Sequence, residues 1–159
     1  MTAAARTPTA EREVTLTRLF EAPRDLVFRM WTDPHHMAQW WGPKGFSNPV
    51  CEMDVRVGGA IRIDMRAPDG TVYPMTGIFR EVVAAERLVF MAVPVDAAGT
   101  VQLESLTTVT FEAVGGKTRL AVHAKAVGYA AAAVRMLGGM EAGWSQSLER
   151  LEALVASAA

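Results

Sequence analysis

The feature that most constrains the fold is a series of segments between residues 50 and 126 in which apolar and polar residues alternate. Alternation with a period of two is typical of strands that bury one face. Short turns separate several segments, including Gly58-Gly59, Pro68-Asp69-Gly70 and Gly115-Gly116. Because such turns join neighbouring antiparallel strands, we predict an antiparallel meander of about seven strands. The predicted strands are Val14–Phe20, Val50–Val57, Ile61–Met65, Val72–Val83, Leu88–Val93, Leu103–Ala113 and Thr118–Ala126.

Two short helices are predicted between the first strand and the second. Pro23 fits the first turn of a helix that ends at Thr32. Asp33-Pro34 is a typical N-cap and first-turn pair for the next helix, which Gly42-Pro43 ends. Large apolar residues close together indicate the wall of a core or of a pocket. These two helices contain three of the four tryptophans, Trp31, Trp40 and Trp41.

One long helix is predicted from about Tyr129 to Ala156, because apolar residues recur there three or four positions apart. A helix of roughly 28 residues is about 42 Å long, which is enough to cross a curved sheet. Its interior contains Gly138-Gly139 and Gly143, each costing up to about 1 kcal/mol relative to alanine. We therefore expect either a kink at these glycines or a close approach of the helix backbone to another element.

The composition fits a single domain. The 159 residues are 50% hydrophobic, which suits one substantial core. The formal net charge is −1 and there is no basic stripe, so nucleic acid is not expected as a partner. Cys51 is the only cysteine, which excludes an internal disulfide and a CxxC zinc site and favours a cytoplasmic location.

We predict a disordered N-terminal tail over residues 1–10 and a single domain over residues 11–159. The first segment is rich in Ala, Thr and Pro and buries too little surface to offset its ordering entropy. It lacks the apolar centre of a secretion signal. No other segment approaches the roughly 20 apolar residues of a membrane span, so none is expected.

Several short motifs follow one another along nearly the whole chain, from about Val14 to Leu154. They are Phe20-Glu21-Ala22-Pro23-Arg24, Trp31-Thr32-Asp33-Pro34, Trp40-Trp41-Gly42-Pro43, Glu52-Met53-Asp54 with Gly58-Gly59, Glu86-Arg87-Leu88-Val89-Phe90, Thr108-Val109-Thr110-Phe111-Glu112 with Thr118-Arg119-Leu120, and Gly143-Trp144 with Ser147-Leu148 and Arg150-Leu151. In this order the chain resembles the activator of heat-shock protein 90 ATPase homologue family in its bacterial single-domain form, within the START-like or SRPBCC superfamily. The resemblance implies an α+β helix-grip fold, in which a curved antiparallel sheet wraps around the C-terminal helix and leaves a cavity between them.

The resemblance is compatible with several functions, since superfamily relatives bind lipids, hormones and polyketides, and some catalyse cyclisation or hydrolysis. Fold alone does not choose among these functions. Our first hypothesis is binding of a small apolar or aromatic ligand in the cavity, and a dry, shallow cavity would argue against it. The second is an enzyme acting on a hydrophobic small molecule in the same cavity. The third is a stress-related co-chaperone of heat-shock protein 90, which is disfavoured because the separate amino-terminal domain of the eukaryotic activators is missing.

Candidate pocket residues are large apolar side chains, because ligand sites of this kind are concave and mostly apolar. Ordinary core packing is the alternative for each of them, and we favour the pocket for Trp40, Met140 and Trp144 as a group. Trp31 is assigned to the packing of the first helix. The remaining candidates are Trp41, Phe46, Met53, Met65, Met75, Phe79, Phe90, Met136 and Leu148.

Few polar groups are placed to act on a ligand. Ser105 and Thr107 fall on the inward face of their strand, where a hydroxyl orients a ligand or bonds to a neighbouring strand. Glu141, His35 and His36 are the candidates for acid or base catalysis. For these three residues we prefer a solvated surface position, so an enzyme is the less favoured hypothesis.

Other chemistry receives little support from the motifs. There is no HxH or HExxH spacing, P-loop or dinucleotide fingerprint, and we expect neither a metal nor a cofactor. His123 alternates with core-facing neighbours and should point outward, and Cys51 should be inert. Open sheet edges and a near-zero net charge are compatible with a homodimer.

Overall fold

A computed structural model describes residues 10–95, 98–129 and 131–158. Within these residues the chain forms seven strands and four helices, and the predicted α+β fold class is confirmed. The elements are β1 (Ala10–Phe20), α1 (Arg24–Thr32), α2 (Pro34–Trp40), β2 (Ser47–Met53), β3 (Ala60–Arg66), β4 (Val72–Val83), β5 (Arg87–Pro94), β6 (Leu103–Val114), β7 (Lys117–Gly128), α3 (Ala131–Gly138) and α4 (Met140–Ala158).

The described strands form one antiparallel sheet in the order β1-β7-β6-β5-β4-β3-β2. Strands β2 to β7 follow each other as the predicted meander. β1 instead pairs with β7, from Ala10↔Gly128 to Phe20↔Thr118, so β1 and β2 lie at opposite edges. The chain crosses from one edge to the other through α1 and α2, which contact β6, β7 and β2 on the way.

One face of the sheet forms the main core. On β3, Ile61 and Ile63 are buried whereas Arg62 between them is exposed, as a period of two requires. Leu148 and Leu151 of α4 belong to the same cluster and are fully buried. Burying a leucine side chain stabilises by about 1.5–3 kcal/mol, so this stripe holds α4 against the sheet.

The sheet bends between β4 and β5. The pairing shifts between Phe79 and Glu81, which leaves an extra residue on β4. A bulge of this kind bends its strand and increases the local twist. Near the bulge, a Cβ atom at Gly77 would lie 2.3 Å from the carbonyl oxygen of Met91, so the close approach of these strands requires glycine.

The C-terminal helix is not continuous, which corrects the predicted single helix of Tyr129 to Ala156. It is interrupted at Gly139 and divides into α3 and α4. A Cβ atom at Gly138 or Gly143 would meet no atom within 4 Å, so these glycines do not serve a close approach to another element. The glycines had suggested either a kink or a close approach of the backbone to another element. The structure shows an interruption of the helix and no such approach. α4 alone, at 19 residues, is about 28 Å long.

α3 covers a second, smaller apolar cluster made by Leu103, Ala126, Ala133 and Leu137. A Cβ atom at Gly128 would lie 2.5 Å from the Cβ of Ala133. Glycine at the end of β7 thus allows α3 to lie directly on the sheet.

The second predicted strand is displaced. It was expected over Val50–Val57, but β2 ends at Met53 and begins earlier, at Ser47. Asp54 already belongs to the turn, because its N–H donates to the carbonyl of Ala60 at 2.9 Å. The hairpin with β3 is present as predicted.

The predicted tail, residues 1–10, lies outside the described residues except for Ala10, which begins β1. No helix in the described part of the chain combines the length and apolarity needed to cross a membrane.

Candidate ligand-binding site

The four tryptophans form a closed ring of contacts where α1, the end of α2 and α4 meet. Ring centroids lie 4.6 Å apart for Trp31 and Trp40, and 5.8 Å apart for Trp40 and Trp41. The ring closes through Trp144, whose centroid lies 5.5 Å from that of Trp41 and 6.1 Å from that of Trp31. We call these residues the tryptophan cluster. Each aromatic pair contributes about 0.5–1.5 kcal/mol beyond its area burial, so the cluster fixes the helices relative to one another.

The turn between α1 and α2 positions the first two tryptophans. Asp33 caps α2, as predicted: its carboxylate accepts the backbone N–H of His35 at 2.9 Å, and Pro34 is the first helical residue. Trp40 is then fully buried and donates its indole N–H to the carbonyl oxygen of Met30 at 2.9 Å. The side chain of Trp40 thereby connects the two short helices.

Arg150 of α4 fastens the segment that follows α2. Its guanidinium donates to the carbonyl oxygens of Gln39, Trp41, Gly42 and Pro43 at distances of 2.9–3.1 Å. Among these residues only Gln39 lies within α2, whose last carbonyls have no partner within the helix. Arg150 therefore caps one of those carbonyls and fixes the three residues that follow the helix. Partial burial lowers the pKa of Arg150, but arginine remains charged in proteins.

Two further hydrogen bonds hold Trp41 and its neighbour in place. The N–H of Gly42 donates to the hydroxyl of Ser147 at 3.1 Å. The side-chain amide of Asn48 donates to the carbonyl oxygen of Trp41 at 2.8 Å. Ser147 belongs to one of the short motifs found in the sequence, but its bond to Gly42 was not predicted, and Asn48 lies in no motif.

A small cavity lies between the tryptophan cluster and β2 to β5. Its volume is about 10 Å³, which is room for about one water molecule. Every lining residue is apolar. The lining consists of Trp31, Met37, Trp41, Met53, Ile61, Ile63, Met75, Phe79, Leu88 and Phe90. The chain as described therefore has the wall of an apolar site with almost no free space inside it, and so small a cavity argues against ligand binding to this form of the protein.

The structure brings part of the predicted pocket to this cavity and places the rest elsewhere. Trp40, Trp144 and Leu148 belong to the packing beside it, and Ser105 and Thr107 lie on the core face of β6. The other predicted pocket residues away from the lining are Phe46, which packs on Tyr73, Met65 beside Gly42, the exposed Met136, and Met140 on the second cluster. Their roles as ligand contacts remain predictions.

Five lining residues were not among the predicted pocket residues, namely Trp31, Met37, Ile61, Ile63 and Leu88. The alternation on β3 does put Ile61 and Ile63 on the core face, and Leu88 shares a face with Phe90. The position of Trp31, by contrast, depends on how α1 crosses the sheet. No local pattern records that crossing.

The wall contains one unsatisfied polar group. Among the described residues, the indole nitrogen of the fully buried Trp31 has no hydrogen-bond partner. A buried tryptophan N–H usually finds an acceptor. Trp40, in the same cluster and equally buried, does find one in Met30.

The candidates for acid or base catalysis lie apart from this wall. Glu141 is 61% exposed and pairs with Arg12 at 3.3 Å. His35 is exposed, and the ring of His36 lies 3.9 Å from the carboxylate of Asp33. Glu141 and His35 are thus exposed, His36 is partly exposed, and none of the three lines the cavity.

The remaining titratable candidates also lie away from the cavity. His123 pairs with Glu13 across β7 and β1, and this contact lowers the pKa of Glu13. Burial raises the pKa of the Cys51 thiol to about 11, so it is mostly protonated at neutral pH. Within the described residues, no group of His, Cys, Asp and Glu side chains is arranged to hold a metal ion.

A larger depression of about 200 Å³ lies at the start of α1, beside the turn between β6 and β7. Charged residues line it, including Arg24, Asp25 and Lys117, and it is open to solvent. Its lining shares no residue with the tryptophan cluster. We therefore take the small apolar cavity as the candidate site.

The sheet that packs on a C-terminal helix and encloses an aromatic wall defines a helix-grip protein of START-like type. A family model for Activator of Hsp90 ATPase homolog 1-like protein matches residues 21–156, so the chain belongs to this family. No curated protein matches the chain at a significant level.

Solved bacterial structures share the fold over nearly the whole chain. Protein CV1439 from Chromobacterium violaceum is 30% identical with a TM-score of 0.75, over 90% of this chain and 96% of that one. The AHSA1 protein from Silicibacter pomeroyi is 24% identical with a TM-score of 0.78, over 93% of this chain and 100% of that one. A protein from Arthrobacter aurescens is 23% identical with a TM-score of 0.80, over 95% and 93% of the two chains. The last two show a common fold and nothing about function.

Proposed function

We propose that this protein binds a small, largely apolar or aromatic molecule between the sheet and α4, in an expanded form of the cavity. The observation that carries the proposal is the continuous apolar wall. Four aromatic residues and three methionines are among its ten lining residues. Such walls are typical of small-molecule sites, whereas the acid and base candidates of the chain lie at its surface.

Binding requires the cavity to expand. An apolar cavity of about 150 Å³ accommodates benzene, and the present volume is about 10 Å³. Met37, Met53 and Met75 supply the adaptability, because an unbranched thioether side chain changes rotamer with little strain. Their rearrangement, together with movement of the edge strand β2, would make room for the ligand.

We propose an entrance between Trp41 and Met53. The other lining residues are buried, whereas these two are partly exposed. Trp41 follows the end of α2, and Met53 is the last residue of β2. An entering ligand would displace these two side chains first.

Titration with N-phenyl-1-naphthylamine, an uncharged probe whose emission rises in apolar surroundings, tests the proposal. We expect saturable binding at one site per chain, with competition by other uncharged aromatic molecules. Met75→Ala should tighten binding, because less rearrangement is then needed to open the cavity. Met136→Ala is the matched control, since Met136 is exposed outside the cavity and its removal should leave the affinity unchanged. Binding that is not saturable, or that responds equally to both variants, would contradict the proposal.

The other expectations from the sequence stay predictions. We keep the cytoplasmic location and the homodimer in that form, and we still disfavour a chaperone partner. An enzyme acting on a hydrophobic molecule remains the alternative, and turnover of a bound compound would favour it over simple binding.

A further inference from the structure

Trp31 is a residue of the cavity wall whose unpartnered indole N–H is not explained by binding of a purely apolar molecule. Trp31 is fully buried, it lines the cavity, and its nitrogen has no partner among the described residues. Trp40 is equally buried 4.6 Å away and does have an acceptor. The difference between the two rings therefore does not arise from burial.

The surroundings limit what can satisfy this donor. A single water molecule fits the volume of about 10 Å³, but a buried water needs two to four polar partners. The side chains of the lining residues offer no acceptor stronger than a methionine sulfur. A charged acceptor such as a carboxylate would lose its solvation against this wall without a cation to compensate it. An uncharged oxygen on a ligand meets neither objection.

We infer that the natural ligand is an uncharged, mainly apolar molecule carrying one hydrogen-bond acceptor, such as a ketone, ester or ether oxygen, and that this oxygen accepts the N–H of Trp31. The inference rests on the proposed function, because it needs a ligand in the cavity. Beyond the proposed function, the inference assigns the ligand one polar group and an orientation in the cavity. The acceptor end of the ligand faces α1, and its apolar end faces the methionines. Trp31 is thus a ligand-recognition residue in addition to a packing residue.

A matched pair of ligands tests the hydrogen bond. Acetophenone and α-methylstyrene have nearly the same shape, but only the ketone has an acceptor oxygen. Their affinities are measured by displacement of N-phenyl-1-naphthylamine from the native chain, from Trp31→Phe and from Trp40→Phe. Loss of one neutral hydrogen bond corresponds to about a threefold to tenfold change in affinity. We expect the preference for the ketone over the alkene to fall by this factor in Trp31→Phe and to stay unchanged in Trp40→Phe, because Trp40 is already engaged with Met30.

A second readout uses the native chain, so it does not depend on whether the variants fold. In a ¹H–¹⁵N spectrum, the indole resonance of Trp31 should move downfield with acetophenone and much less with α-methylstyrene. If both ligands bind but the resonance responds equally to them, the inference is overturned while the proposed function stands. If neither the naphthylamine nor the pair binds, both fail. A Trp31 N–H that keeps a cross-peak to bound water in the presence of the ketone also overturns the inference.

Discussion

The two buried tryptophans Trp31 and Trp40 should respond differently to the same substitution. Both are fully buried, but only Trp40 donates a hydrogen bond, to Met30 at 2.9 Å. Phenylalanine removes the N–H and part of the ring at each position, so the packing loss is similar in kind. Trp40→Phe also loses a hydrogen bond with a net contribution of about 1 kcal/mol. Trp31→Phe instead removes an unsatisfied donor, whose burial costs about 1–3 kcal/mol.

We therefore expect Trp40→Phe to lower the free energy of unfolding by about 2–4 kcal/mol more than Trp31→Phe does. Urea denaturation followed by far-ultraviolet circular dichroism gives this difference without relying on the fluorescence of the altered residues. The comparison is valid where the two variants share the same m-value. Equal destabilisation, or a larger loss for Trp31→Phe, would refute the assignment of Trp31 as an unsatisfied donor.

Three further perturbations follow from the described contacts. Arg150→Lys should lower the free energy of unfolding by about 2 kcal/mol in urea titration, because a single ammonium group does not replace a guanidinium bonded to four carbonyls. Unchanged stability of this variant would contradict the role of Arg150 in holding the end of α2. The thiol of Cys51, with its pKa raised to about 11, should react with iodoacetamide at pH 8 about a hundredfold more slowly than a free cysteine. The reaction should become faster as the pH rises, and a rate equal to that of free cysteine at pH 8 would contradict the burial of this thiol. Gly128→Ala should lower the free energy of unfolding by about 1–3 kcal/mol and speed amide hydrogen exchange in α3, because the new Cβ would lie 2.5 Å from the Cβ of Ala133. Unchanged exchange in α3 would refute the close contact.

Local patterns predicted the elements that local chemistry determines. Asp33-Pro34 placed the start of α2 correctly, because capping depends on neighbours in sequence. The alternation along β3 to β7 gave the meander, since each strand buries one face. Gly138-Gly139 marked a weak point in the C-terminal helix, but helical periodicity continues on both sides of the break. The pattern alone did not decide between a kink and a close contact.

Which residues line the site was harder to predict from the sequence, because the lining depends on how elements distant in sequence pack together. Trp31 was assigned to helix packing, yet the crossing of α1 over the sheet brings it to the cavity wall. Met140 was grouped with Trp40 and Trp144, but the break at Gly139 leaves it on the second cluster. The small cavity volume likewise follows from the sum of many side-chain positions, which no motif encodes.

The most direct test of an expandable apolar site is a nuclear Overhauser experiment on protein labelled with ¹³C at the methionine methyl groups. Acetophenone is the probe, and the three lining methionines, Met37, Met53 and Met75, are the reporters. The account predicts intermolecular contacts from the aromatic protons of the probe to these methyl groups, and none to the exposed Met136. Contacts confined to Met136, or no contacts at a probe concentration that saturates binding, would contradict it.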